Sequence, residues 1–182
     1  MIDRLSETID AVDITVLSGF LGSGKTTLIR TLLERPDLAR TAVIINEFGE
    51  IGLDHELIES SEEDLVELST GCICCVMRGD LQEAIERLMV RQQTGKVFDR
   101  IILETTGLAD PGPILHSLIY NEYLKSLVRL DRVVITVDAL SGLSSISNFK
   151  ECPQQIALAD IILITKADID STNVDDLRRE LR

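Results

Sequence analysis

The chain has 182 residues, 45% of them hydrophobic and 27% charged, enough for one globular domain with a sizeable core and short for two. Lys and Arg number 18 against 31 Asp and Glu, and the resulting formal charge of −13 repels phosphate polymers and anionic lipid, which excludes nucleic acid and membrane surfaces as default partners. No apolar stretch approaches the ~18 to 20 residues of a membrane span, and the N-terminus lacks the basic-then-apolar pattern of a secretory signal, so a cytoplasmic location is expected.

Taken in chain order, a strand is predicted over residues 14–17. It runs into Gly19-Phe20-Leu21-Gly22-Ser23-Gly24-Lys25-Thr26, a full match to G-x-x-x-x-G-K-[ST], and a helix is predicted over 25–34. This is the order a phosphate loop requires. The glycines Gly22 and Gly24 and the small Ser23 let backbone N–H groups turn inward around a phosphate, and the helix N-terminus adds positive potential. Lys25 reaches the β- and γ-phosphates, and the Thr26 hydroxyl can ligate Mg²⁺.

A second strand over 42–45 leads into Asn46-Glu47-Phe48-Gly49-Glu50-Ile51-Gly52-Leu53-Asp54, where acids stand among glycines as in a mobile phosphate- or metal-sensing switch. The acidic run 59–64 reads as a solvated turn, and 65–68 as a strand. Then comes Gly71-Cys72-Ile73-Cys74-Cys75. In a reducing compartment such clustering points to metal or redox chemistry rather than to a disulfide framework. Three thiolates, Cys72, Cys74 and Cys75, favour Zn²⁺ or Cu⁺. With only the remote Cys152 left, the site is open at its fourth position, as suits a metal that is loaded and released.

A helix over 80–91 precedes a strand over 101–103 that ends in Glu104-Thr105-Thr106-Gly107. An acid at such a strand end can hold a Mg²⁺-bound water, and the Gly107 N–H can approach a γ-phosphate and report its loss. After a helix over 113–125 and strands over 133–137 and 161–164 comes Thr165-Lys166-Ala167-Asp168. Asp168 can accept from guanine N1–H and N2–H₂, which adenine does not present, while the Lys166 stem covers a base face, so GTP is favoured over ATP. A helix over 175–182 closes the chain. His55 and His116 lie outside metal-ligand spacing, and Tyr120 and Tyr123 fit a helix face. Nearly unbroken aliphatic strands alternating with amphipathic helices give the fold class: α/β, a P-loop NTPase with a mainly parallel central sheet and helices on both faces.

These segments together, SGFLGSGKTTL, INEFGEIGLD, GCICC, ETTGLADP, VDAL and QIALADIILITKAD in that order, resemble the CobW-type metallochaperone GTPases, relatives of the GTPases of hydrogenase and urease maturation. The resemblance covers nearly the whole chain. It implies binding of GTP and GDP, slow Mg²⁺-dependent hydrolysis, Zn²⁺ or another transition metal at the cysteines, and delivery of that metal to a client protein. By position it puts residues from Gly22 to Thr27, including Thr27 itself, on the phosphates, Glu47 and Asp54 in the switch, Glu104 near Mg²⁺, and Lys166 and Asp168 on guanine. Lys25, Glu104 and Asp54 are then the catalytic candidates, and Glu47 or water the fourth zinc ligand. The family more often has Asn where this chain has Thr165, and carries a smaller C-terminal domain, so residues 1–182 are expected to be the GTPase domain of a longer protein.

No Gln or Arg finger is placed to activate water, which leaves completion of the site to a partner or to a homodimer. Two other readings compete. A P-loop small-molecule kinase needs an Arg-rich lid, and no Arg cluster follows the phosphate loop; a non-catalytic GTP-binding metal sensor would signal through a partner surface.

Overall fold

The computed structural model describes residues 11–38, 40–46, 65–67, 73–76, 81–95, 98–169 and 171–182, with backbone only for 46, 65–67 and 73–76. The described strands are β1 (Val12–Gly19), β2 (Thr41–Asn46), β3 (Leu65–Glu67), β4 (Ile73–Val76), β5 (Arg100–Thr105), β6 (Val128–Asp138) and β7 (Ile161–Thr165). The helices are α1 (Lys25–Leu33), α2 (Leu81–Gln93), α3 (Gly112–Tyr120), α4 (Glu122–Leu127), α5 (Gly142–Asn148), α6 (Glu151–Ile156) and α7 (Val174–Glu180).

The strands form one sheet in the order β3-β4-β2-β5-β1-β6-β7, parallel throughout except for β3, which runs antiparallel to β4 at one edge. Its central strands are buried on both faces, which is why they read as almost continuous Val, Ile and Leu. Alternate residues feed two cores. Ala42 and Ile44 of β2 and Ile101 and Leu103 of β5 pack with α2, α3, α4 and Leu177 of α7. Val43, Ile45 and Ile102 pack on the other face with Ile29 and Leu33 of α1. The mainly parallel sheet with helices on both faces is therefore present.

One local expectation is corrected, and three elements are added to those predicted. The helix expected over 113–125 is two helices: Asn121 has extended backbone, ends α3, and its Oδ1 accepts from the N–H groups of Tyr123 and Leu124 at 3.0 and 3.2 Å to start α4. The apolar spacing ran through the break because both helices bury residues, Leu115, Leu118 and Leu124, in the same core. The cysteine segment contributes a strand, β4, where only a ligand cluster had been expected. Helices α5 and α6, rich in Ser, Gly and Pro, were not expected at all.

The parallel register draws rows across the sheet. Val76 of β4 stands opposite Ile45, Ile45 opposite Glu104, and Glu104 opposite Leu17. Cys74 pairs with Val43 and Cys75 with Ile44, residues that belong to different cores. Among the described residues no helix is long and apolar enough to cross a membrane.

Candidate functional site

The loop after β1 turns on glycines. Gly24 has φ +89°, a left-handed conformation that an L side chain rarely adopts, and it begins α1 with no side chain capping the first turn. With no side-chain cap, the helix N-terminus faces the loop in the manner of an anion-binding turn. The Lys25 side chain, buried to 8% exposure, folds back so that Nζ donates to the carbonyls of Gly19 and Phe20 at 2.8 and 3.2 Å. Ser23 is held from below: its Oγ lies 2.6 Å from Thr136 Oγ1 of β6.

Beside the loop, Thr26 Oγ1 donates to Glu104 Oε1 at 3.1 Å. A cleft of about 120 Å³ opens there between Gly22, Lys25 and Thr26 on one side and Glu104, Thr106 and Gly107 on the other. A hydroxyl and a buried carboxylate converging on a polar cleft are hard oxygen donors, the set that suits Mg²⁺. Gly107 packs against the loop so closely that a Cβ on it would lie 2.6 Å from the Leu21 nitrogen, so no larger residue fits without moving backbone. Thr27 sits exposed in the first turn of α1, and its carbonyl accepts from Thr31.

The segment after β7 joins the same end of the sheet. Thr165 Oγ1 donates to the Ser23 carbonyl at 2.7 Å, and Asp168 is exposed in the following turn. Lys166 has left-handed backbone, φ +56°, and its Nζ donates to Asp138 Oδ2 at 2.6 Å. Burial works against the Asp138 charge. The Lys166 hydrogen bond and ammonium, with the Leu140 N–H, outweigh it and hold the carboxyl below its ordinary range.

Of the expected residues, Gly22, Ser23, Gly24, Lys25, Thr26, Glu104 and Gly107 come together, and Thr165 ties Lys166 and Asp168 to them. Glu47, Asp54 and Cys72 lie outside the described residues, as do the acidic run and His55; Cys74 and Cys75 lie on β4. Among the described residues no group of three His, Cys, Asp or Glu side chains stands together. Cys152 is buried on α6, at a small cavity behind the phosphate loop, and its burial, with the Glu151 charge, pushes the thiol up. His116 is exposed and stacks on Tyr120 along α3.

Sequence reasoning assigned no role to Asp138 or Gln155. Asp138 carried a legible signal, an acid at the end of an apolar strand, the same rule that singled out Glu104. Gln155 opens the segment QIALADIILITKAD that carries the family resemblance, but its role is set by the tertiary fold that brings it to its partners.

Residues 13–182 match the family described as CobW/HypB/UreG, nucleotide-binding domain. The chain belongs to that family. It is 40% identical over 159 residues to the zinc chaperone YjiA of Escherichia coli, covering 87% of this chain and 50% of that protein. It is 37% identical over 184 residues to zinc-regulated GTPase metalloprotein activator 1 of Schizosaccharomyces pombe, covering 95% of this chain and 43% of that one. The crystal structure of Zn(II)-bound YjiA GTPase from E. coli superimposes with a TM-score of 0.77 at 35% identity, over 95% of this chain and 54% of that chain. The chain thus spans about half the length of the curated relatives it matches.

Proposed function

We propose that this chain binds and slowly hydrolyses GTP, and uses the nucleotide state to control zinc held at Cys72, Cys74 and Cys75 for delivery to a client metalloprotein. The observation that carries the reading is the junction of phosphate loop and β5: Lys25, Thr26 and Glu104 meet at one polar cleft beneath an uncapped helix N-terminus. Membership of the family and the zinc-chaperone and GTPase names of its relatives support the same reading.

In this reading Gly22, Ser23, Gly24, Thr26 and Thr27 present backbone and hydroxyl groups to the phosphates. Lys25 exchanges the Gly19 and Phe20 carbonyls for β- and γ-phosphate oxygens. Attack of water on the γ-phosphorus breaks its bond to the bridging oxygen and yields GDP and inorganic phosphate. Negative charge gathers on the β-phosphate side, where the Lys25 ammonium, released from those carbonyls, and the loop amides meet it. Thr26 and Glu104 would hold Mg²⁺, which supplies further charge neutralisation. Glu104 and Asp54 act on the attacking water's side, and the Gly107 N–H responds to the γ-phosphate. Lys166 and Asp168 select guanine, Asp168 by accepting two donors that adenine lacks. Zinc takes three thiolates and a fourth ligand from Glu47 or water. A client protein or a second copy of the chain completes the hydrolytic site, and a cytoplasmic location fits free thiols.

Displacement of fluorescent GDP by unlabelled GTP and ATP tests the nucleotide assignment. GTP is expected to compete at least tenfold better than ATP, and Asp168→Asn to weaken GTP and narrow the difference. Equal competition by the two nucleotides in the parent protein would overturn it.

A further inference from the structure

We infer that Gln155 is a positioning residue that latches the loop after β5 in the conformation able to meet a γ-phosphate, an inference that rests on the nucleotide reading above. Gln155 lies on α6 with only 1% exposure. Its Nε2 donates to two carbonyls of one loop, Gly107 at 3.1 Å and Ala109 at 3.0 Å. An amide NH₂ has two protons, and both are consumed here. The two acceptors also fix the amide's orientation, because its own carbonyl oxygen turned toward them would set acceptor against acceptor.

The same loop is pinned from the opposite side, where Gly107 abuts the Leu21 backbone of the phosphate loop. It is therefore held between the phosphate loop and α6. The segment leading into α6 is itself anchored to the phosphate loop, through the Phe149 ring stacked on Phe20 at a centroid distance of 4.7 Å. The Gln155 amide, at 1% exposure, and the buried Gly107 carbonyl each lose a hydrogen bond that water cannot replace if the other is removed, while the Ala109 bond is part-buried. With the latch made, the Gly107 N–H is placed before nucleotide arrives. Without it, a nucleotide bearing a γ-phosphate must first order the loop, whereas GDP does not touch it.

The test uses the full chain with Gln155→Met, which keeps length and volume but removes both donors, and Gln155→Glu, which keeps shape and sets a carboxylate against the two carbonyls. In the nucleotide-free protein, hydrogen exchange at the amides of 106–110 is expected to rise about tenfold in Gln155→Met and further in Gln155→Glu, while amides of β5 and β1 stay unchanged. Affinity for a non-hydrolysable GTP analogue should fall about tenfold, with GDP affinity held within about twofold. Unchanged exchange in the loop would overturn the latch. Equal weakening of GDP and the analogue would overturn the positioning role and leave Gln155 as part of the packing. A parent protein that binds neither nucleotide would defeat the functional reading instead, and the exchange result would still decide whether Gln155 holds the loop.

Discussion

Thr165 Oγ1 donates to the Ser23 carbonyl across 2.7 Å, joining two segments that are 142 residues apart in sequence. The bond fastens the turn that carries Lys166 and Asp168 to the phosphate loop, so the two halves of the proposed nucleotide site share one frame. Gly24 is required there by its φ of +89° and not by space, since a Cβ would rest in ordinary contact, 3.6 Å from the Thr165 side chain. The side chain that departs from the family's commoner Asn thus supplies the tie to the phosphate loop.

Replacing Thr165 by Val keeps the volume and removes the donor, leaving the Ser23 carbonyl short of a partner. The expected cost is about 1 kcal/mol of stability and a several-fold loss of GTP affinity, with Thr165→Asn closer to the parent. Urea titration and GTP binding of the three proteins check this, and a Val variant matching the parent in both would refute the tie.

Lys25→Ala should abolish phosphate release and lower nucleotide affinity strongly, because among the described residues lining the cleft Lys25 is the only cation. Secondary structure should survive, since the main-chain turn is set by the glycines. Turnover retained in a well-folded Lys25→Ala sample would take the loop out of the mechanism.

Asp138 gives a pH prediction with a defined sign. Its folded carboxyl titrates below its ordinary value, so the pair with Lys166 contributes stability above about pH 4, the unfolded range of Asp. That contribution is withdrawn as the pH falls from there through the lower folded value. Asp138→Asn should lose stability at neutral pH and show a flatter stability curve below about pH 4. Denaturant titrations across this range measure both; parallel curves for parent and variant would contradict the assignment.

The triple Cys→Ser variant at positions 72, 74 and 75 should retain GTP binding and lose tight zinc binding. In the parent, zinc affinity should differ between GDP and a GTP analogue, and zinc should shift the analogue's affinity, relative to that of GDP, by the same factor. Zinc bound equally by parent and triple variant, or equally in both nucleotide states, would break the link between metal and nucleotide.

Much of the sheet was legible because buried parallel strands announce themselves: residues 42–45 and 101–103 are apolar at every position, as two covered faces demand. β4 escaped for the opposite reason, as two of its four residues are cysteines, which by type suggest ligands rather than a strand. Asn121 escaped because its capping role depends on backbone torsions, and composition permits either a helix interior or a break. The phosphate loop and Glu104 were legible since local chemistry and local structure coincide there. Gln155 was not, because its meaning lies in carbonyls 46 and 48 residues away.

The register row from Val76 through Ile45 to Glu104 crosses two strand spacings. At ~4.8 Å each, this places the end of the cysteine strand roughly 10 Å from the Glu104 backbone. A hydrogen-bonded ladder of this kind is a stiff ruler. Each face of β2 is packed into a different core, so a slip of one residue would exchange the side chains of the two cores, and the register is fixed. Because β2, β4 and β5 are parallel, Asn46, Val76 and Thr105 end at the same edge of the sheet, so any coupling of metal to nucleotide in the proposed reading acts across a separation that the ladder holds fixed.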